Sequence, residues 1–208
     1  DYRVSAYAVN EPGSSSGGTI GKSFFGVVAT EDNTTINYTL TMDTKGTNPQ
    51  FAGEEVEVVL DQGQTFIGRA RAVYADFSGM SIHADKPIAV FGGNECTNVP
   101  GKSLACDYLV EQTPPVATWG SEYYTYPLET RAGGDTYRIV ADIDNTLVWQ
   151  NGVLTHILAA GAFAEMLLAE PTHIIASQPI LLTQFSNSTQ VDAGLRDQAL
   201  GLTYGDPF

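Results

Sequence analysis

Basic residues are scarce: 10 Lys plus Arg stand against 24 Asp plus Glu, a formal net charge of -14. No Lys/Arg-rich run exists, so nucleic-acid phosphates and anionic membrane surfaces would be repelled rather than bound. No window approaches the roughly 18 consecutive apolar residues of a membrane span, and no membrane insertion is expected. The start, Asp1-Tyr2-Arg3-Val4, lacks the charged-then-apolar layout of a signal peptide. The chain reads as mature or as a fragment, and the end at Tyr204-Gly205-Asp206-Pro207-Phe208 is expected to continue in the natural polypeptide.

Motifs of catalysis and tight metal binding are also missing. There is no HExxH, no CxxC, no EF-hand and no nonapeptide calcium repeat. Gly-x-Ser-x-Gly is absent, and Gly13-Ser14-Ser15-Ser16-Gly17-Gly18 is a low-complexity loop instead of a nucleophile elbow. His83, His156 and His173 fall in separate strand-like runs and read as ordinary strand histidines. The carboxylate pairs Glu54-Glu55 and Glu31-Asp32 are adjacent in sequence, so on a strand they point to opposite faces and cannot flank one glycosidic bond. No residue is assigned to catalysis. A glycan-active hydrolase stays only as the enzyme alternative.

Cysteine is limited to Cys96 and Cys106, close together in a Gly- and Pro-containing loop. That is the layout of a small disulfide-closed loop, with two reduced thiols as the alternative. Two thiols with no nearby His supply only half of a structural zinc site. Calcium fits better, because Asp32, Asn33, Asp144, Asn145, Asp76, Asp85 and Asp107 offer loop oxygens. A structural Ca2+ at Asp32 and Asp144 is left open against plain turn chemistry.

What is present is a foldable, strand-rich chain. Its 208 residues are 43% hydrophobic, with 10 Tyr and 9 Phe, which is far from the composition of disorder. Short β-branched or aromatic runs bounded by Gly, Pro, Asn or Asp recur along it. They then return in the same order. Val28 through Thr34 (VATEDNT) answers Val140 through Thr146 (VADIDNT), Gln62-Gly63-Gln64 answers Ala160-Gly161-Ala162, and Asp85-Lys86-Pro87-Ile88 answers Ser177-Gln178-Pro179-Ile180. Three ordered landmarks indicate an internal duplication. Asp-Asn-Thr reads as a hairpin tip, and each Pro marks a strand entry. Ala159 to Glu170 would pass for a helix on propensity, but its counterpart Gln64 to Ala70 is strand-like, so a strand is expected.

The reading is therefore all-β, with two tandem repeated sandwich-like units; a propeller-like or single large barrel arrangement is the alternative. The expected layout is an N-terminal strand and loop (1–22), a first unit (23–112), a Pro/Tyr-rich crossover (113–134), a second unit (135–190) and a tail (191–208). Trp119, Tyr123, Tyr124 and Tyr126 in the crossover are the candidate ligand-binding aromatics.

Several motifs arrive in a familiar order. Ala29-Thr30-Glu31-Asp32-Asn33-Thr34 is followed by Lys86 through Phe91, then by Cys106 through Gln112 with Pro114-Pro115 and Trp119-Gly120, and finally by Gly205-Asp206-Pro207. Over residues 24–208 the chain resembles the IgGFc-binding domain family of mucus proteins, which also has bacterial and marine-invertebrate members. The resemblance implies secretion or surface display, and adhesive or structural binding of an extracellular protein, a glycan or further copies of the chain. It does not imply antibody binding by this member. Phe208 stands where self-cleaving Gly-Asp-Pro sites of neighbouring mucin domains carry His, which argues against cleavage here. Sequons at Asn33, Asn37 and Asn187 matter only in a eukaryotic secretory pathway. The rival to a binding module is a structural subunit assembled through strand edges.

Overall fold

A computed structural model describes residues 1–8, 21–101, 106–129, 131 and 133–188, and the backbone of 196–197 and 202–203. The Ser-rich loop, most of the tail with Gly-Asp-Pro, and Thr189 of the last sequon lie outside the described residues. The chain is all-β. The described residues outside strands form turns, loops and one 3-10 turn at Val116–Thr118.

The first unit runs from β1 (Tyr2–Arg3) through β2 (Ser23–Ala29), β3 (Thr34–Thr39), β4 (Glu55–Leu60), β5 (Thr65–Arg69), β6 (Ser81–Ala84) and β7 (Ile88–Thr97) to β8 (Asp107–Thr113). Its two sheets have the orders β1-β6-β3-β4 and β5-β2-β7-β8. The second unit contains β9 (Gly120–Thr125), β10 (Asp135–Ala141), β11 (Thr146–Gln150), β12 (Val153–Leu158), β13 (Phe163–Leu168) and the long β14 (Thr172–Phe185). The first half of β14 pairs with β9 and β11, and its second half pairs with β10, so one strand serves both layers. A backbone hairpin of β15 (Arg196–Asp197) and β16 (Leu202–Thr203) follows.

The duplication extends to the pairing. β5-β2-β7 is answered by β13-β10 and the second half of β14, while β6-β3-β4 is answered by the first half of β14 with β11 and β12. β1 on β6 is answered by β9 on β14: Tyr2 lies opposite Ile82 as Tyr123 lies opposite Ile174. The segment between the units is thus only partly a crossover, because β9 is the leading strand of the second unit.

The Asp-Asn-Thr turns are not hairpin tips. β2 does not pair with β3, nor β10 with β11; each turn carries the chain from one sheet to the other. Asn33 and Asn145 take positive φ (52° and 56°), a conformation Asn tolerates better than most residues. Asp32 Oδ1 accepts from Gln62 N at 3.0 Å and Asp144 Oδ1 from Ala160 N at 2.8 Å, which ties each corner to the neighbouring Gly turn.

Each unit closes over its own core. Phe25, Val27, Ile36, Tyr38, Phe77 and Ile82 lead the first; Tyr137, Ile139, Val148, Ile174 and Ile180 lead the second. The helix-prone Ala159–Glu170 stretch is a turn followed by β13, because Ala164 and Met166 alternate into that second core. Tertiary burial overrides propensity here.

Between the units runs the buried segment Val4–Ala8, with Val4 and Ala6 in the first core and Tyr7 against Phe185. Arg138, 2% exposed, reaches across from β10 to Asp76 at 2.7 Å and sits over the Tyr7 ring at 3.8 Å. Burial works against its charge, and Asp76, with Tyr7 and Glu165, outweighs that burial and raises its pKa. Gly79 and Gly161 also meet at this junction: a Cβ on Gly79 would lie 1.9 Å from the Gly161 carbonyl oxygen.

Candidate binding surface

The four crossover aromatics separate into two pairs. Trp119 is buried, donates from Nε1 to Pro114 O at 3.2 Å, and packs on Val140 and Leu181. Tyr123 points inward toward the second core and donates to Ile180 O at 2.7 Å. Tyr124 and Tyr126 are 66% and 65% exposed. Alternation along β9 separates Tyr123 from Tyr124, since neighbours on a strand face opposite sides, while Trp119 and Tyr126 flank the strand.

Tyr124 belongs to a larger surface that sequence reasoning did not assemble. Its ring stacks on His173 with centroids 4.4 Å apart and planes 3° apart. Glu122 sits beside them, hydrogen-bonded to His173 Nε2 at 2.8 Å and accepting from the Tyr124 hydroxyl at 3.3 Å. That carboxylate raises the pKa of the Tyr124 phenol. Across the sheet, Glu122 lies opposite Ile175, Ile175 opposite Trp149, and Trp149 opposite Leu154; Leu147 lies opposite Ile157 in the next row. Ile157 is 63% exposed, Leu154, Ile175 and Tyr124 are also exposed, and Trp149 and Leu147 are half-buried.

The duplicate unit supplies the comparison. Where the second unit has Leu147, Trp149, Ile175 and Tyr124, the matching positions of the first have Thr35, Asn37, His83 and Arg3, and its edge strand β4 turns Glu55 and Glu57 outward. Val59 of β4 is exposed where the second unit has Ile157, and Arg3 is turned to Asp142, so the first unit's face keeps one apolar residue among polar ones where the second carries a continuous apolar, aromatic row. Folding does not require the second composition.

The remaining predicted site residues fall elsewhere. Cys96 and Cys106 are joined by a disulfide with their Cα atoms 5.1 Å apart. Asp32 and Asp144 each accept a turn N–H, and among the described residues no group of three or more His, Cys, Asp or Glu side chains is placed to hold a metal ion. No described helix is long and apolar enough to cross a membrane.

The family model described as "IgGFc binding protein" matches residues 1–208. The chain belongs to that family. One curated relative, the IgGFc-binding protein of Homo sapiens, is 31% identical over 80 residues; the match spans 38% of this chain and 1% of the human protein. No solved structure matches. Membership makes this chain part of a binding-protein family. Exposed apolar residues such as Ile67, Tyr108 and Val110 occur on other strands, and the outer face of the second unit joins several of them with aromatic rings across adjacent strands.

Signals for that face exist in the sequence. TLVWQ in β11 and THIIA in β14 are apolar at both parities, whereas their counterparts TTINY and SIHA alternate. Comparison of the two halves at equal parity would have isolated Trp149 and Ile175.

Proposed function

We propose that this chain is a non-catalytic, extracellular binding and adhesion module of a larger secreted or surface-displayed protein, and that it engages a protein partner through the Tyr124–Ile175–Trp149 face. The observation that carries the reading is the contrast between the duplicated sheets. An exposed aromatic and aliphatic patch on a monomer marks an interaction site when nothing in the fold demands it. The Cys96–Cys106 disulfide suits an oxidising compartment. The name of the human relative supplies a first probe, the Fc region of IgG.

The test is surface binding of the chain to immobilised Fc and to a purified gel-forming mucin. Ile175→Glu is expected to abolish capture, while His83→Glu, the equivalent position of the first unit, leaves it intact. Capture that survives Ile175→Glu overturns the reading, and so does a chain that captures neither probe and is also monomeric at every concentration.

A further inference from the structure

We propose that the partner on this face is a second copy of the same chain, packed sheet on sheet about a two-fold axis. The proposal rests on reading the face as a protein-binding surface and adds the identity of what binds. β11, β12 and the first half of β14 are apolar on both sides. Val148, Leu158 and Ile174 fill the core, while Leu147, Trp149, Ile157 and Ile175 point outward. Strands apolar on both faces belong between two layers. Among the described residues no second layer covers them, and Leu154, Ile157 and Ile175 stay exposed.

Charge selects the occupant. The chain carries a net -14, yet β11, β12 and residues 172–177 of β14 contain no Asp, Glu, Lys or Arg. The one carboxylate in the opposed rows, Glu122, is engaged by His173 and Tyr124. A basic partner would be recognised by carboxylates on the contact surface, and those strands offer it none. The face is a neutral window in an acidic shell, where two like-charged copies can meet without opposing their carboxylates. An isologous contact needs a self-complementary surface, and apolar rows against the same apolar rows satisfy that.

The first unit cannot make the same contact. Its matching face would bury Glu55 and Glu57 of each copy, while Arg3 and His83 on that face are already engaged by Asp142 and Asp1. Two copies joined through this face occupy each other's apolar rows, so the contact itself closes at two copies.

The experiment is sedimentation equilibrium of the full chain across concentration and ionic strength. A dimer is expected that tightens as salt rises to about 0.5 M, because screening relieves repulsion between the acidic copies. Trp149→Glu with Ile157→Glu should weaken it at least about tenfold, with the melting temperature of the monomer retained because both side chains point outward; His83→Glu should change nothing. A monomer at every concentration and salt, a dimer unmoved by the double variant, a dimer that weakens with salt, or larger open assemblies each overturn the proposal. A monomeric chain that still loses Fc or mucin capture on Ile175→Glu would defeat the self-contact and leave the binding reading standing.

Discussion

The Tyr123 hydroxyl donates to the Ile180 carbonyl at 2.7 Å, spanning the two layers of the second unit. Tyr2 repeats the bond to Ile88 at 2.8 Å in the first. Each phenol reaches from the leading strand to the residue after the repeat's Pro, so the bond fixes where the chain changes sheets. Tyr123→Phe and Tyr2→Phe are each expected to lower stability by about 1 kcal/mol in urea unfolding. Neither should change binding at the outer face, since both rings point away from it.

Arg138 and Asp76 form a buried ion pair across the unit junction. Asp76 Oδ1 also accepts from Ser78 N, and its Oδ2 from Ala8 N, both at 2.9 Å. Arg138→Met strands that carboxylate in the interior and is expected to cost about 3–5 kcal/mol. Asp76→Asn combined with Arg138→Met should recover part of the loss, because the unpaired charge is then gone while a side-chain oxygen remains to accept a buried backbone N–H. Denaturant midpoints of the two variants against the parent check this.

Gly79 and Gly63 both hold positive φ, 83° and 78°, but differ in surroundings. A Cβ at Gly63 enters open space, whereas one at Gly79 collides with the Gly161 backbone. Gly63→Ala should cost about 1–2 kcal/mol from backbone strain alone. Gly79→Ala should cost clearly more and loosen the unit junction, read as faster hydrogen exchange in 4–8 and 76–79.

Alkaline pH should expose the buried phenols. Burial pushes Tyr38 and Tyr137 up to about 12, against 10.0 in the unfolded chain. A raised native pKa means the unfolded state releases the proton first. Stability from these groups is whole below pH 10 and falls as pH rises through 12. Melting temperature should decline across that window, and tyrosinate absorbance should show a late class of phenols ionising together with unfolding.

Reduction of Cys96–Cys106 removes a cross-link between residues 10 apart in sequence. Cys96→Ser is expected to destabilise by about 3 kcal/mol through the greater freedom of the unfolded chain, with a lower melting temperature under non-reducing conditions. An unchanged midpoint would show that the link does not constrain the unfolded ensemble.

The duplication, the all-β class and the family resemblance were legible in the sequence, because they are carried by local signals: β-branched runs, the repeated Pro, and Asp-Asn-Thr in register with its Gly turn. Of the two Pro read as strand entries, Pro87 precedes β7 but Pro179 lies inside β14, where that strand passes from one layer to the other. The same local reading misjudged what those turns connect. A tight Asn turn looks alike in a hairpin and in a corner between sheets, and only the pairing of β2 with β5 and β7 separates them.

Whether Trp119 and Tyr123 are ligand groups or packing groups was equally invisible. An aromatic cluster declares its size but not its direction, which the parity of β9 against β14 sets for Tyr123 and packing on Val140 and Leu181 sets for Trp119. The sequence by itself determined that this chain forms two related strand-rich units with an acidic surface, since composition and periodicity act residue by residue. Only the tertiary structure decided which face of each sheet meets water, because that depends on pairings between strands far apart in the chain. It was those pairings that brought Tyr124, Ile175, Trp149 and Ile157 onto one surface.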